Sequence, residues 1–510
     1  MKRRVIAVGV LTATTILATL SSAPPAPAAV GTDSRALRKA VTLSGVMEHQ
    51  RAFQKIADRN NDTRASGTPG YDQSADYVAK RLRAAGFRVT QQFFDYPFFQ
   101  ETATPQLNRV SPDPVTYVHN QDFITMDYSG SGDVTSDVVP TNDILIPPPA
   151  TPGSTSGCEA PDFPASVAGS IALIQRGTCT FAQKALNAQN AGAVGVIIFN
   201  EGQAGRTDAF AGTLGAPDFR IPITGTSFAL GADQYQRIRS GQTVMMHMFV
   251  QSISEIRQTS NVIGETTSGR SDRVAFAGAH LDSVTEGPGI NDNGSGSSTL
   301  LEIAEQLSAL KVKPTNQVRF GFWGAEEAGL FGSEFYVSEL SSRQIKNISA
   351  YLNFDMVGSP NFVRFVYDGD NSDTVGSNPN GSGQIEDVFL DYFASQRLET
   401  DPTEIGSRSD HAAFAAVGIP VGGLFTGAEG IKTPEQRAVY GGTAGIAYDP
   451  CYHQACDDIS NLSSTALDQM SDAAAHAVLT FAMTDSAVQG TDKGNAFGLK
   501  DDHHGPKLTK

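Results

Sequence analysis

The stretch "AHLDSVTEGPGINDNG", residues 279–294, arranges His280, Asp282 and Asp292 around glycine-rich bends and offers little to a hydrophobic core. The run that leads into it, "RVAFAGA", is apolar enough for a strand that is buried on both faces. Glycines inside the stretch let the backbone fold tightly enough to bring Asp292 back beside His280. Because a neutral imidazole next to carboxylates is typical of metal ligation, the stretch predicts a metal site at a strand end.

The chain beyond residue 259 repeats a pattern of apolar run, turn and helix-type segment. The predicted strands of this region are residues 273–279, 318–323, 350–354 and 418–425. Between the first two, residues 297–310 have their apolar side chains on one helical face, as a crossover helix should. The pattern predicts an α/β fold: a mostly parallel mixed sheet with helices on both faces.

Three of the predicted strands end at side chains of the kind that bind metals. The first runs into His280, the second into Glu326 and Glu327, and the third into Asp355. In open α/β sheets the ligand crevice lies outside the carboxyl ends of the strands. Any one of these residues could equally be a solvated loop acid or a helix cap. Together with His453, which follows later, they predict a site for two metal ions.

A two-metal site of this composition is suited to hydrolysis. Two divalent cations about 3.5 to 4 Å apart can activate a water molecule and polarise a carbonyl group. A carboxylate that is not a metal ligand can then pass the proton of the water to the leaving amine. The adjacent Glu326 and Glu327 fit this division, because neighbouring side chains at a turn point in different directions.

Five motifs carry a resemblance to a known family. They are "GAHLDSVTEGPGINDNGSGSS", "GFWGAEEAGLFGS", "LNFDMVGSP", "RSDHAAF" and "YDPCYHQACD". Together they resemble the secreted zinc aminopeptidases of the bacterial leucyl aminopeptidase type, over residues 48–96 and 259–485. The resemblance implies a zinc exopeptidase fold and an enzyme that removes N-terminal residues, expected to be large and apolar, from peptides.

The same resemblance assigns a role to each metal-type residue. It implies that His280 and Asp355 bind one zinc ion, that Glu327 and His453 bind a second, and that Asp292 bridges the two.

The resemblance also implies catalytic and substrate-binding roles. Glu326 would be the general base and acid, Asp282 would orient the imidazole of His280, and Tyr452 would donate its hydroxyl to the developing oxyanion. The candidates for substrate binding are Met356, Arg408 and Phe425.

A middle segment, residues 130–253, has a different texture of short strands and many turn residues. It resembles the protease-associated domain, a β-rich module found inserted in exported peptidases. The resemblance implies that this segment shapes access to the site and performs no chemistry. The catalytic domain is then predicted to comprise residues 30–129 and 254–488.

The four cysteines allow three disulfide pairings. We favour the pairing of sequence neighbours, Cys158 with Cys179 and Cys451 with Cys456. A zinc site made of cysteines is the alternative, but the sequence has no Cys-x-x-Cys pair to support it.

The chain start, residues 1–29, has a basic end, a short apolar run and small residues, which predicts a cleaved secretory signal peptide. A membrane anchor is the alternative. We expect a secreted, extracellular monomer that acts on peptides. The net charge of −16 argues against nucleic acid and anionic membranes as partners. Residues 489–510 are predicted to be a disordered tail.

Two further groups of residues have weaker assignments. Asp468 and Asp472 share a helical face, and some relatives of the resembled family bind calcium at a matching place. Those relatives have another acid near the chain start, whereas this sequence offers Lys39 there, so we favour a solvated helix face over a calcium site. His411 is interpreted as structural, because the metal ligand set is complete without it.

Two rival functions remain open at this stage. One is a carboxypeptidase with the same two-zinc chemistry, because some relatives with a protease-associated insertion cleave at the other peptide end. Those relatives have a long helical domain after the catalytic part, whereas few residues follow the last predicted helix here, so we favour the aminopeptidase. The other is a non-catalytic binding protein on the peptidase scaffold, which predicts lost ligands.

Overall fold

The structure is a computed structural model that describes residues 33–484. The predicted signal peptide and the predicted disordered tail lie outside the described residues, so both stay predictions. No helix in the described part of the chain is both long enough and apolar enough to cross a bilayer.

The described residues form helices and strands in alternation. The helices are α1 (Arg35–Ala40), α2 (Leu43–Ala57), α3 (Pro69–Ala84), α4 (Phe181–Asn190), α5 (Phe228–Arg239), α6 (Gly294–Ala309), α7 (Phe331–Ser338), α8 (Ser342–Asn347), α9 (Ser382–Gln396), α10 (His411–Ala416), α11 (Pro434–Tyr440) and α12 (Ser464–Met483). The strands are β1 (Arg88–Ser111), β2 (Val115–Thr116), β3 (Phe123–Thr125), β4 (Gly132–Pro140), β5 (Ile171–Gln175), β6 (Gly195–Phe199), β7 (Ile223–Thr226), β8 (Met245–Glu265), β9 (Arg270–His280), β10 (Asn316–Trp323), β11 (Ile348–Phe354), β12 (Phe365–Tyr367), β13 (Asp401–Thr403) and β14 (Val421–Phe425).

The catalytic part is built on a sheet with the strand order β13-β12-β14-β11-β9-β10-β8. The central strands β14, β11, β9 and β10 run parallel, whereas β8 is antiparallel to β10 and β12 is antiparallel to β14. These four parallel strands and α6 are the predicted elements. The predicted fold class is therefore confirmed.

Helices cover both faces of this sheet, and β9 shows why its sequence is almost continuously apolar. Ala275 and Ala277 face a core that contains residues of α2, α3, α6 and α12. Val274 and Phe276 face a second core together with residues of α7 and α10. Since successive side chains of a strand point to opposite faces, a strand buried on both faces shows no polar alternation.

One observed boundary differs from its prediction. The strand predicted at residues 418–425 begins only at Val421. Gly418 has a φ of +76°, a left-handed conformation that ends the turn after α10 and that glycine adopts without strain.

The inserted segment shares a strand with the catalytic sheet. β8 pairs along its length with β1, while its other edge pairs with β4 near the start and with β10 near the end. Beyond β4 the sheet continues in the order β5-β6-β7-β3, with α4 and α5 in its helical layer. The predicted domain boundary at residue 253 falls inside β8, and the exact domain limits stay predictions.

Both predicted disulfides are present. Cys158 joins Cys179 in the inserted segment, and Cys451 joins Cys456 in the loop before α12. The pairing of sequence neighbours is therefore confirmed.

Candidate active site

The carboxyl ends of the parallel strands meet at one rim, where the metal-type side chains converge. His280 is the last residue of β9, and Asp355 directly follows β11. After β10 the chain turns through Ala325, which has a φ of +55°, and this turn delivers Glu326 and Glu327.

Asp292 lies between the two histidines of the site. Its Oδ1 is 3.2 Å from His280 Nε2, and its Oδ2 is 3.2 Å from His453 Nε2. His280 Nε2 also lies 3.3 Å from Asp355 Oδ1, and His453 Nε2 lies 3.0 Å from Glu327 Oε2. Each imidazole thus faces one carboxylate of its own and one oxygen of Asp292.

These residues fit a pair of divalent cations. Zinc ligands lie about 2.0 to 2.2 Å from the ion, so two nitrogen or oxygen ligands of one tetrahedral ion are about 3.3 to 3.5 Å apart, close to the separations observed here. Glu327 Oε1 and Asp355 Oδ1 are buried and have no hydrogen-bond partner among the described residues. Buried carboxylate oxygens are rarely left in this state unless a cation compensates them.

Burial and mutual proximity shift the pKa values of the cluster in opposite directions. Burial raises the pKa of Glu326 well above its usual range and that of Glu327 to about 7. Burial opposes the charge of Asp292 as well, but hydrogen bonds with His280 and His453 hold its pKa below the usual range. Environments that separate the pKa values of neighbouring carboxyl groups are typical of catalytic sites.

Asp282 contacts both His280 and the glutamate turn. The backbone oxygen of Asp282 lies 3.2 Å from His280 Nδ1, and its carboxylate Oδ1 lies 3.7 Å from the same nitrogen. The carboxylate also accepts a hydrogen bond from the backbone N–H of Glu326, at 3.2 Å. Asp282 therefore contacts the imidazole mainly through its main chain and fixes the position of Glu326 through its side chain.

The loop before α12 carries the last two site residues. Tyr452 stacks on His453 with 3.8 Å between the ring centroids, and the disulfide of Cys451 and Cys456 brackets the pair. The loop also supports Asp292, because the carboxylate of Asp457 accepts the backbone N–H of Asp292 at 2.9 Å.

A cavity of about 310 Å³ opens beside the cluster. The predicted substrate-binding residues Met356, Arg408 and Phe425 all line it, as do Glu326 and Tyr452. The other apolar lining residues are Leu330, Ile405 and Ala428. The cavity therefore joins an apolar wall to the charged cluster, which is the usual composition of a small-molecule site.

Comparison with known proteins agrees with this geometry. The sequence profile of peptidase family M28 matches residues 261–478, and that of the PA domain matches residues 134–233. A Pseudomonas aeruginosa protein named aminopeptidase is 46% identical over 86% of this chain and 81% of its own length. The chain belongs to peptidase family M28. The predicted family and the predicted inserted domain are both confirmed.

Other relatives of this M28 chain carry similar names. A probable leucine aminopeptidase 2 of Aspergillus fumigatus is 40% identical over 86% of this chain and 83% of its own length. Among solved structures, the aminopeptidase of Aneurinibacillus sp. strain AM-1 aligns over 89% of this chain and 97% of its own, with 25% identity and a TM-score of 0.65. A zinc aminopeptidase of Bacillus subtilis shares the fold, with 24% identity, a TM-score of 0.56 and coverage of 90% and 98%.

Arg64, between α2 and α3, is a residue of this M28 site that the sequence analysis missed. It is fully buried and donates to three carbonyl oxygens of the segment after β9, at 2.5 Å to Leu281, 2.8 Å to Pro288 and 2.5 Å to Gly289. Its guanidinium therefore holds the bend that brings Asp292 back to the rim.

Ser66, from the same segment, supports the glutamate turn. Its Oγ accepts the backbone N–H of Ala325 at 2.6 Å, and its carbonyl oxygen accepts the hydroxyl of Tyr96. The signal that was available for these residues is the polar "TRAS" just before the Gly/Pro turn at the start of α3.

Asp355 is held by a chain of buried hydrogen bonds that was also missed. Trp323 Nε1 donates to the hydroxyl of Tyr351 at 2.8 Å, and that hydroxyl donates to Asn353 Oδ1 at 3.1 Å. Asn353 Nδ2 donates to Ser409 Oγ at 2.9 Å, and Ser409 donates to Asp355 Oδ2 at 2.7 Å. Every donor points toward the metal-type carboxylate, so the chain fixes its orientation.

The structure shows the surroundings of His411 and Asp472, which belong to the two weaker assignments. His411 Nε2 hydrogen-bonds to the backbone oxygen of Gly406 at 3.3 Å and also to that of Ile405, at the side of the cavity. Asp472 Oδ2 lies 3.4 Å from Arg38 Nη1, so a guanidinium from α1 stands beside this acid. A calcium site at Asp468 and Asp472 stays a prediction.

Proposed function

We propose that this chain is a secreted aminopeptidase that uses two zinc ions to remove N-terminal, apolar residues from peptides. The observation that carries the proposal is that the carboxylate of Asp292 lies between two histidines. Each of its oxygens faces a different imidazole. In this assignment His280 and Asp355 hold one ion, Glu327 and His453 hold the other, and Asp292 contacts both. When bound, the two ions supply Lewis acidity toward the peptide carbonyl and lower the pKa of the attacking water.

Glu326 is the residue placed to move the proton. Its carboxylate lines the cavity, and its Oε2 lies 3.9 Å from His280 Nε2, farther than the oxygens of Asp292 and Asp355. Burial raises its pKa, which matches a group that must accept a proton from water and return it to the leaving amine.

Tyr452 and Arg408 are placed to receive the carbonyl end of the scissile bond. Burial raises the pKa of Tyr452 well above its usual range, so its hydroxyl stays protonated and remains a donor. Arg408 Nη2 lies 3.5 Å from that hydroxyl, and Arg408 Nη1 lies 2.8 Å from Glu429 Oε1. A fixed donor facing a developing oxyanion contributes about 10²- to 10³-fold in rate.

The same cavity supports a preference for a free amino terminus and an apolar side chain. Glu326 and Asp355 present negative charge to an ammonium group, while Met356 and Phe425 supply apolar surface beside them. The relatives named leucine aminopeptidase agree with this preference.

Export is supported by the predicted signal peptide and by the two disulfides, which persist in oxidising compartments.

The decisive experiment replaces Glu326 with Gln. We expect kcat for leucine p-nitroanilide to fall by about 10³-fold, because the proton carrier is lost, while the zinc content stays equal to that of the wild type. Zinc would be counted by plasma mass spectrometry on the same sample. Activity close to that of the wild type would refute the role of Glu326, and a single zinc ion at the catalytic cluster would refute the two-ion site.

A second assay tests which peptide end is cleaved. We expect Leu-Gly-Gly to lose its first residue and the same peptide with an acetylated amine to remain intact. Release of the C-terminal residue from the blocked peptide would instead identify a carboxypeptidase.

A further inference from the structure

A second group of metal-type side chains lies between α2 and α6, on elements that contribute no ligand to the catalytic cluster. His49 comes from α2, and Glu302 and Glu305 come from α6. His49 is 0% exposed and Glu302 is 4% exposed. Glu302 and Glu305 lie about 12 and 17 Å along α6 from its first residue, given a rise of about 1.5 Å per residue.

The distances within this group suit a shared cation better than hydrogen bonds. His49 Nε2 lies 3.5 Å from Glu302 Oε2 and 3.9 Å from Glu305 Oε2. Nε2 is buried and has no hydrogen-bond partner among residues 33–484. Both separations exceed those of a good N–H···O bond. Ligands about 2.0 to 2.2 Å from one zinc ion are themselves about 3.3 to 3.5 Å apart in a tetrahedron and farther apart at wider angles.

Each of the three side chains is held by a second group, as metal ligands usually are. The hydroxyl of Tyr77 hydrogen-bonds to His49 Nδ1 at 2.8 Å, which turns Nε2 toward the carboxylates. Arg81 donates to both oxygens of Glu305, at 2.5 and 2.6 Å.

Glu302 is the third of these side chains that a neighbouring group holds, and its carboxylate lies against a glycine of α2. Its Oε1 accepts from Gln306 Nε2 at 3.0 Å. Gly45 of α2 faces this carboxylate, and a Cβ at Gly45 would lie 2.2 Å from Glu302 Oε1. A side chain at Gly45 would therefore displace this carboxylate from its position against α2.

The charges of the group leave a deficit that a divalent cation would balance. Glu302 and Glu305 carry two negative charges, and Arg81, which pairs with Glu305 and with the exposed Glu48, supplies one positive charge. With His49 neutral, the negative charge of the buried Glu302 remains uncompensated. Buried carboxylates are stable only when they are paired or coordinate a metal.

We propose that His49, Glu302 and Glu305 form a further site for a divalent transition metal of the zinc class, separate from the catalytic cluster. An imidazole with carboxylates favours zinc over calcium or magnesium, which prefer oxygen ligands alone. The bound ion clamps α2 onto α6, the helix that begins two residues after Asp292. The rival arrangement is a protonated His49 that forms an ion pair with Glu302.

The test compares the zinc content of the wild type with that of His49→Gln. Both chains are stripped with a chelator, reloaded with excess Zn²⁺, freed of unbound metal and analysed by plasma mass spectrometry. We expect the wild type to hold one zinc ion more than the variant, with kcat unchanged within about twofold, since the site touches no reacting atoms. The difference is independent of how many ions the catalytic cluster holds, so a failure of the catalytic assignment is distinguishable.

Two further measurements make the result decisive. His247→Gln is the matched control, because His247 pairs with Asp133 at 2.8 Å in the inserted segment, and it should keep the zinc content of the wild type. Anomalous scattering at the zinc edge from wild-type crystals should show a peak between His49 and Glu302, and this readout does not depend on the folding of a variant. Equal zinc content in the wild type and folded His49→Gln, or the absence of the peak, would overturn the proposal in favour of the ion pair.

Discussion

The catalytic rim and the inserted segment both bury glutamates next to parallel strands, but the carboxylate oxygens of these glutamates differ in their hydrogen bonding. In the insertion, Glu201 follows β6 and its side chain is 0% exposed. Its Oε1 accepts the backbone N–H groups of Gly153 and Ser154, at 2.7 and 2.8 Å, and its Oε2 pairs with Arg206 at 3.0 Å. At the rim, Glu327 Oε1 has no hydrogen-bond partner among the described residues.

The difference shows that burial of a carboxylate does not by itself mark a site. Glu201 is satisfied by the protein, so its charge contributes to the stability of the insertion. Glu327 pairs through Oε2 with His453, but its buried Oε1 has no partner among the described residues, which is the state expected of an acid that binds a cation. The unsatisfied oxygen therefore distinguishes the proposed metal ligand from the structural acid.

The most severe test of the rim removes the shared carboxylate. We expect Asp292→Ala to lower kcat by more than about 10³-fold, beyond the loss of a single transition-state donor, and to lower zinc content at the catalytic cluster. Plasma mass spectrometry and the leucine p-nitroanilide assay check both. A variant that keeps full zinc content would contradict the shared position of Asp292.

A matched pair of substitutions tests the comparison directly. Glu201→Gln should lower the free energy of unfolding by about 3 kcal/mol, because Arg206 and two backbone N–H groups lose a charged partner, while kcat of the folded enzyme is unchanged. Glu327→Gln should abolish activity without destabilising the zinc-free chain. Urea unfolding of the metal-free proteins would measure both. Equal destabilisation by the two substitutions would remove the distinction between the sites.

A buried lysine of the insertion makes stability depend on pH. Burial lowers the pKa of Lys184 from its ordinary 10.5 to about 8. The unfolded chain then binds more protons between these values, so stability should rise from pH 8 toward pH 10, by up to about 3 kcal/mol. Urea midpoints at pH 7.5 and 9.5 should differ in this direction. Lys184→Met should remove most of the rise, and an undiminished rise would assign the effect to other groups.

The smallest expected effect concerns the support of the glutamate turn. Ser66→Ala removes the acceptor of the Ala325 N–H, so kcat should fall about tenfold, which is about 1.4 kcal/mol in the barrier. KM and zinc content should stay constant, since no substrate contact or ligand is lost. Ser74→Ala is the control, because this buried serine bonds only within the first turns of α3. Equal effects of the two substitutions would indicate general destabilisation.

The sequence by itself determined the layered fold and the residues of the rim. A strand buried on both faces is recognised by its apolar run. The residue at the end of each such run is evident from the sequence, as with His280 and Asp355. The short spacing of Cys451 and Cys456 likewise pointed to their pairing.

Only the tertiary structure decided which distant groups support the site. Arg64 lies 217 positions from Leu281, and Ser66 lies 259 positions from Ala325. Such contacts join a side chain to a backbone group, and backbone groups are the same at every position, so the sequence carries no pairing signal for them. The approach of His49 to Glu302 and the pairing of β8 with both β10 and β4 depend on how distant segments pack together, which no local sequence pattern encodes.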